Sequence, residues 1–417
     1  MDKMIVSSGR VLNGSVAVSG AKNSALKLLF ASLLADGEHV FRNVPRLKDV
    51  ESTATLLQSL GCETDWQGDV FKVRVSKPQS IEAHYDLVRK MRASILCLGP
   101  LLAKYGEAVV SLPGGCAIGT RPIDLHLEGM KALGAEIILE EGYVKAKAKK
   151  LKGAPFLFET VTVGGTENVM MAATLAEGTT ILENAAKEPE IVDLAEYLIR
   201  MGAKIRGHGT SVIEIQGVEK LRPAEISVMP DRIEAGTLVI AGAITGGEVT
   251  VTKMVPEHIE SLLMKLRECG FTITTTTNSV TVHALKQCQA VDITTNPYPQ
   301  FPTDLQAQFM ALMCVAQGTS VISETVFENR FMHVQELTRL GADITPKSRV
   351  SVVRGKPGGL TGAPVMATDL RASASLVLAG LVARGETTVN RIYHLDRGYE
   401  NLETKLASLG AKIRRSN

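Results

Sequence analysis

The segment Leu112-Pro-Gly-Gly-Cys-Ala-Ile-Gly-Thr-Arg-Pro-Ile-Asp124 holds three glycines, two prolines, a cysteine, an arginine and an aspartate in thirteen residues. Glycine frees φ and proline fixes it, so the composition reads as a shaped loop. Cys116 stands five residues before Arg121, and a neighbouring cation with accessible backbone N–H groups makes a thiol reactive. A glycine turn with an incidental small hydrophobe is the other reading. Fourteen residues before the glycines at 37, 106, 178, 318 and 385 stand Asn23, Arg92, Gly164, Asp304 and Arg371; Arg232 stands fifteen before Gly247. Lys22, Lys90, Thr166, Asp231, Thr303 and Asp369 lie beside them. These positions read as helix starts, where exposed N–H groups and the positive dipole end favour anions. Thr303, Asp231 and Asp369 suit ordinary N-caps. Lys22, Arg92, Arg232 and Arg371 do not, because a cation is disfavoured there, and four of them point to an anionic ligand.

The elements that must position these groups repeat. An apolar helix, a glycine turn, a strand, a second helix and a second glycine turn recur six times, with the first turn's glycines at 37, 106, 178, 247, 318 and 385. The second turn reads Leu-Gly-Ala-x-Ile at 133–137, 340–344 and 409–413, and is varied as Leu60-Gly-Cys62, Met201-Gly-Ala-Lys-Ile205 and Cys269-Gly-Phe-Thr-Ile273 in the others. A period of about 70 residues marks a repeat architecture whose units cannot bury their apolar faces alone. Arg330 and Arg397 fall in the loop after the fifth and sixth glycines. Cys116 with Arg121, and Glu188 with Glu190, fall in the corresponding loops of the second and third. The sixth repeat ends at Ile413 before its last strands, whereas the chain opens with unpartnered strands around 4–7 and 15–19. Residues 1–19 are therefore expected to complete the C-terminal repeat. One three-repeat domain then spans 20–229, and a discontinuous one spans 1–19 and 230–417. Helix starts that point the same way would line a cleft between the two domains with positive potential.

The 417 residues exceed one ordinary core and suit two domains of roughly 200 each. A net charge of +2 does not argue for a polyanion partner, and 4% aromatics leave little to stack bases on. There is no membrane-spanning apolar run and no signal-peptide core at the N-terminus. Six scattered cysteines, none paired at metal-ligand spacing, fit neither a zinc site nor a disulfide framework. The expectation is a cytoplasmic protein with reduced thiols that binds neither membrane nor nucleic acid.

The motifs Gly20-Ala-Lys-Asn-Ser24, Pro113-Gly-Gly-Cys-Ala-Ile-Gly-Thr-Arg-Pro-Ile-Asp124, Phe301-Pro-Thr-Asp-Leu-Gln-Ala-Gln308, Glu324-Thr-Val-Phe-Glu-Asn-Arg-Phe331, Ala367-Thr-Asp-Leu-Arg371 and Asp396-Arg-Gly-Tyr-Glu400 resemble the UDP-N-acetylglucosamine 1-carboxyvinyltransferase family along the whole chain. The resemblance implies an inside-out α/β barrel of two three-repeat domains. It also implies transfer of enolpyruvate from phosphoenolpyruvate to the 3′-hydroxyl of UDP-N-acetylglucosamine with release of phosphate, at the first committed step of peptidoglycan synthesis. The implied partners are these two small molecules, with no metal or organic cofactor. By resemblance Cys116 is the acid and can carry a covalent phosphoenolpyruvate adduct, and Asp304 is the base. Lys22, Arg121 and Arg397 would hold phosphate and carboxylate, and Asn23 would hydrogen-bond the tetrahedral intermediate. The nucleotide sugar would meet Arg121, Pro122, Ile123, Asp124, Leu125, Thr162, Val163, Gly164, Asp304 and Val326, with Arg92, Arg330, Asp369 and Arg371 in support.

Thr160 and Tyr298 stand where relatives carry a basic residue and a histidine respectively. The 3-phosphoshikimate 1-carboxyvinyltransferases share the fold and the donor, but lack the Gly-Gly-Cys-Ala loop and need a second phosphate site. A catalytically dead scaffold is a further alternative, and the joint presence of acid, base and phosphate cations argues against it.

Overall fold

The computed structural model describes residues 2–416 except Lys77, Lys90 and 113–122. Cys116, Arg121 and Pro122 therefore lie outside the described residues. Two compact units divide the chain, and each has its own apolar core. Unit one comprises Met1–Ser19 and Pro230–Asn417; unit two comprises the described parts of Gly20–Gly115 and Arg121–Met229.

Six four-stranded sheets, one per repeat, share a single topology. In the fifth, Ile293–Thr294 runs parallel to Gly318–Ser323, which pairs antiparallel with Val350–Gly355, which pairs antiparallel with Asp343–Lys347. The helix before the turn glycine is apolar almost all round. In Arg232–Thr245 twelve residues are buried, from Ile233 to Ile244, and in Leu370–Val382 every residue from Arg371 to Leu381 is buried. Such helices belong inside a domain. In unit one Arg232–Thr245, Gln306–Met313 and Leu370–Val382 pack against one another. The second helices, such as Glu260–Glu268 with only Leu262, Leu263 and Leu266 buried, are amphipathic. Helices within and sheets without make the inside-out α/β barrel.

Each of the six helix-start positions falls on the first or second residue of its helix or 3-10 turn. The turn glycines at 37, 106, 178, 318 and 385 have φ of +120°, +74°, +90°, +111° and +96°, a region costly for residues with a Cβ. In the fourth repeat the left-handed residue is Gly246, not Gly247. Arg232 stands fourteen before Gly246, as in the other repeats, so the odd spacing comes from the second glycine, Gly247, one residue past the left-handed one.

The N-terminal strands do not both serve the sixth repeat. Lys3–Ser7 inserts between Glu386–Asn390 and Lys412–Ser416 and supplies that repeat's third strand. Asn13–Ala17 instead runs parallel to Glu248–Thr252 in the fourth repeat's sheet. The first repeat is closed by Glu225–Ser227, parallel to Gly37–Arg42. No described helix is long and apolar enough to cross a membrane.

Candidate active site

In unit one, Asp304 sits in the 3-10 turn Thr303–Leu305 ahead of Gln306–Met313. Its Oδ1 accepts from Arg330 Nη2 at 2.7 Å, and its Oδ2 from Arg371 Nε and Nη2 at 3.3 and 3.2 Å. Both arginines are buried, whereas the Asp304 side chain keeps 25% of its exposure. The Arg371 guanidinium lies 5.3 Å from the Tyr399 ring centroid. The Tyr399 hydroxyl in turn meets Thr237 Oγ1 and Gln308 Nε2. A partly exposed carboxylate is thus clamped on rigid, buried donors.

Asp369 and Asp231 cap their helices as expected: each Oδ1 accepts two backbone N–H groups at 2.8 and 3.0 Å. Thr303 does not cap. Its hydroxyl donates to Glu324 Oε2 at 2.8 Å and accepts from Arg330 Nη1 at 2.9 Å. The loop after the fifth glycine hangs from the same carboxylate, since Val326 N and Phe327 N donate to Glu324 Oε1 at 2.9 and 3.2 Å. Arg397 is half-buried at the end of the turn Ile392–Arg397. Tyr298 presents its ring to Arg232, 5.7 Å from guanidinium carbon to centroid.

In unit two, Lys22 opens the helix Lys22–Ala31 and its Nζ meets Asp49 Oδ2 at 2.7 Å, both groups nearly buried. Asn23 and Arg92 are half-buried at their helix starts. Thr162 caps Val163–Ala173, its Oγ1 accepting from Gly165 N at 3.2 Å. Ile123 is the N-cap of Asp124–Ala132, which Asp124 and Leu125 begin, exposed and half-buried respectively. The cations at helix starts are thus offset in part from within: Lys22 by Asp49, Arg371 by Asp304, and Arg232 by an aromatic face.

His126 was not foreseen as a site residue. A Cβ on Gly164 would stand 3.1 Å from its Cε1, so glycine lets the imidazole lie against the helix start. Burial first, and then Arg92, push its pKa down to about 4, so the ring is neutral near pH 7. Asn168 Oδ1 accepts from Gly99 N, which fixes the amide so that Nδ2 donates to His126 Nδ1 at 3.1 Å. The proton then sits on Nε2, the nitrogen 3.2 Å from that Cβ position. The weak signal in the sequence is a histidine two residues after Asp124.

Residues 6–406 match the sequence profile of the EPSP synthase (3-phosphoshikimate 1-carboxyvinyltransferase) family. A UDP-N-acetylglucosamine 1-carboxyvinyltransferase of Bdellovibrio bacteriovorus is 75% identical over 412 residues, covering 99% of this chain and 100% of that protein. One from Myxococcus xanthus is 59% identical over 418 residues, covering 100% and 99%. Among solved structures, the enolpyruvyl transferase NikO from Streptomyces tendae superposes with a TM-score of 0.89 at 26% identity, covering 100% of this chain and 99% of that one. EPSP synthase from Acinetobacter baumannii gives 0.78 at 17% identity with both chains fully covered, which bears on the fold alone.

Proposed function

Because this chain belongs to the EPSP synthase family of enolpyruvyl transferases, we infer that it transfers the enolpyruvyl group of phosphoenolpyruvate to the 3′-hydroxyl of UDP-N-acetylglucosamine. Inorganic phosphate leaves, and the product enters peptidoglycan synthesis. The observation that carries this reading is 75% identity, along essentially the whole chain, to a relative named for that acceptor.

The chemistry has two halves. In the addition, C3 of phosphoenolpyruvate takes a proton from an acid, the sugar oxygen bonds to C2, and a base takes the hydroxyl proton. In the elimination, C3 returns a proton, the double bond re-forms and the C2–O bond to phosphate breaks. Cys116 is our candidate acid, and addition of its sulfur to C2 would give the covalent phosphoenolpyruvate adduct. Asp304 is our candidate base. A carboxylate beside two guanidiniums is a weak base, but the alcohol becomes strongly acidic as its oxygen bonds to carbon. Proton transfer to Asp304 is then favourable late in that step.

Lys22, Arg121 and Arg397 are assigned to phosphate and carboxylate, whose negative charge persists through the tetrahedral intermediate, and Asn23 to a hydrogen bond with that intermediate. Pro122, Ile123, Asp124, Leu125, Thr162, Val163, Gly164 and Val326 are assigned to the nucleotide sugar, with Arg92, Arg330, Asp369 and Arg371 in support. The domain with Cys116 spans 20–229, and that with Asp304 and Arg397 spans 1–19 and 230–417. We place the enzyme in the cytoplasm.

The test is phosphate release from phosphoenolpyruvate with UDP-N-acetylglucosamine or 3-phosphoshikimate as acceptor. Turnover with the nucleotide sugar alone is expected; turnover with 3-phosphoshikimate, or with neither, overturns the reading.

A further inference from the structure

Six residues after each turn glycine the repeats carry Asn43, Leu112, Asn184, Lys253, Glu324 and Arg391. Asn43, Asn184, Lys253 and Arg391 are all left-handed, with φ of +56°, +53°, +55° and +59°. A residue with a Cβ adopts that conformation at a cost of about 1 kcal/mol or more, so its recurrence marks a turn built into the repeat. Among the described residues Leu112 and Glu324 do not adopt it. They open the segments that carry Cys116 with Arg121 and Val326 with Arg330. In the fifth repeat the path that the left-handed turn dictates elsewhere is set by a side chain instead.

Glu324 is 1% exposed, and among the described residues its donors are all neutral. Oε1 accepts from Thr295 Oγ1 at 2.7 Å, Val326 N at 2.9 Å and Phe327 N at 3.2 Å; Oε2 accepts from Thr303 Oγ1 at 2.8 Å. Buried carboxyl oxygens need hydrogen-bond partners, and these four donors supply them. A hydroxyl has one proton, and Thr303 spends it on Glu324. Its lone pairs are thereby turned to Arg330 Nη1 at 2.9 Å, and Arg330 Nη2 reaches Asp304 Oδ1 at 2.7 Å.

We propose that Glu324 is a positioning residue for the transfer: through the Thr303 hydroxyl it aims the Arg330 fork that holds Asp304, while its other oxygen fixes the backbone of Val326. The proposal rests on Asp304 acting as base. Removing the acceptor at Oε2 lets the hydroxyl turn, and Arg330 then loses its hydrogen bond to Thr303, keeping the one to Asp304 and the Phe327 ring 5.0 Å from its guanidinium carbon. Misplacement of a reacting group by about 1 Å can cost about 100-fold in rate.

The test compares Glu324→Gln, Thr303→Val, their double variant and Thr303→Ser in steady-state phosphate release, beside urea unfolding. Parent turnover is measured first, since its absence would overturn the proposed function rather than this role. The two single variants should each lower kcat by about 10- to 100-fold with both KM values within about threefold. The double variant should be no more than about twofold slower than the slower single, because both cut one chain of contacts. Thr303→Ser should bring kcat back to within about threefold of the parent. Singles within twofold of the parent, losses that multiply in the double, or Thr303→Ser as slow as Thr303→Val would each overturn it. Should Glu324→Gln not fold, the Val and Ser variants at 303 decide by the same criteria.

Discussion

Replacing Asp304 by asparagine perturbs two things at once, and the structure sets the size of each. Arg330 and Arg371 are 6% and 3% exposed in their side chains and lie 2.7 and 3.2 Å from opposite oxygens of one carboxylate. At an effective dielectric of about 20 those separations correspond to about 6 and about 5 kcal/mol of attraction before desolvation is subtracted. Removing one partner of a buried ion pair costs about 3–5 kcal/mol. The carboxylate side is 25% exposed, so water can relieve part of that cost, and the amide still accepts one hydrogen bond. We expect a loss of about 2–4 kcal/mol, seen as a fall of about 5–15 °C in the midpoint of the transition that unfolds unit one. Turnover should fall by about 10²–10⁴ from loss of the base. The two effects separate if phosphate release is measured well below the variant's midpoint while UDP-N-acetylglucosamine binding is titrated independently. A double-mutant cycle with Arg371→Gln should show a coupling of at least about 1 kcal/mol. An unchanged midpoint with no coupling would refute the ion-pair argument, and turnover within a few-fold of the parent would move the base elsewhere.

Alkylation should single out Cys116: Cys62, Cys97, Cys269, Cys288 and Cys314 are buried, and burial pushes their thiols up to about 11 or 12. Peptide mapping after treatment with the phosphonate epoxide fosfomycin should find one label on the Cys116 peptide, with Cys116→Asp active but unlabelled; label spread over several cysteines counts against it. Lys22→Arg keeps the charge but not the compact ammonium that meets Asp49 at 2.7 Å, so kcat/KM for phosphoenolpyruvate should drop by about 10- to 100-fold; a drop below threefold would remove Lys22 from the anion site. Burial pushes the carboxyl of Glu167 up to about 7 against the pull of Lys27 at 2.6 Å. The native state then binds more protons than the unfolded chain between its ordinary value of 4.5 and about 7, so this group's contribution to stability falls as pH rises through that window. Glu167→Gln should remove on the order of 1–3 kcal/mol of that fall in urea unfolding from pH 5 to 8; equal slopes in parent and variant refute it.

What the sequence makes legible is periodic. A glycine that must take positive φ every seventy residues or so announces six units, and counting from it finds every helix start, including the Arg232 offset once Gly246 is seen as the left-handed residue. Partnerships across the fold are not periodic and stay hidden. Nothing near Asp304 in the chain points to Arg371, 67 residues away, or near Lys22 to Asp49. His126 and Glu324 are single polar residues whose roles exist only once Gly164 and Thr303 are brought to them. The sheet chosen by Asn13–Ala17 was also unreadable: only Val16 in it is buried, so its side chains carry too little pattern to prefer one sheet over another.

The placement of the two N-terminal strands governs the order in which the polypeptide can assemble as it is made. Unit two can complete its sheets once Glu225–Ser227 has emerged to lie beside Gly37–Arg42. The opening strands wait: Asn13–Ala17 for Glu248–Thr252, and Lys3–Ser7 for Lys412–Ser416. At about 5–20 residues per second, the apolar edge around Met4 and Val6 stays without its final partner for on the order of 20–80 s. Through that interval the nascent chain carries an apolar segment that still lacks its final sheet partner.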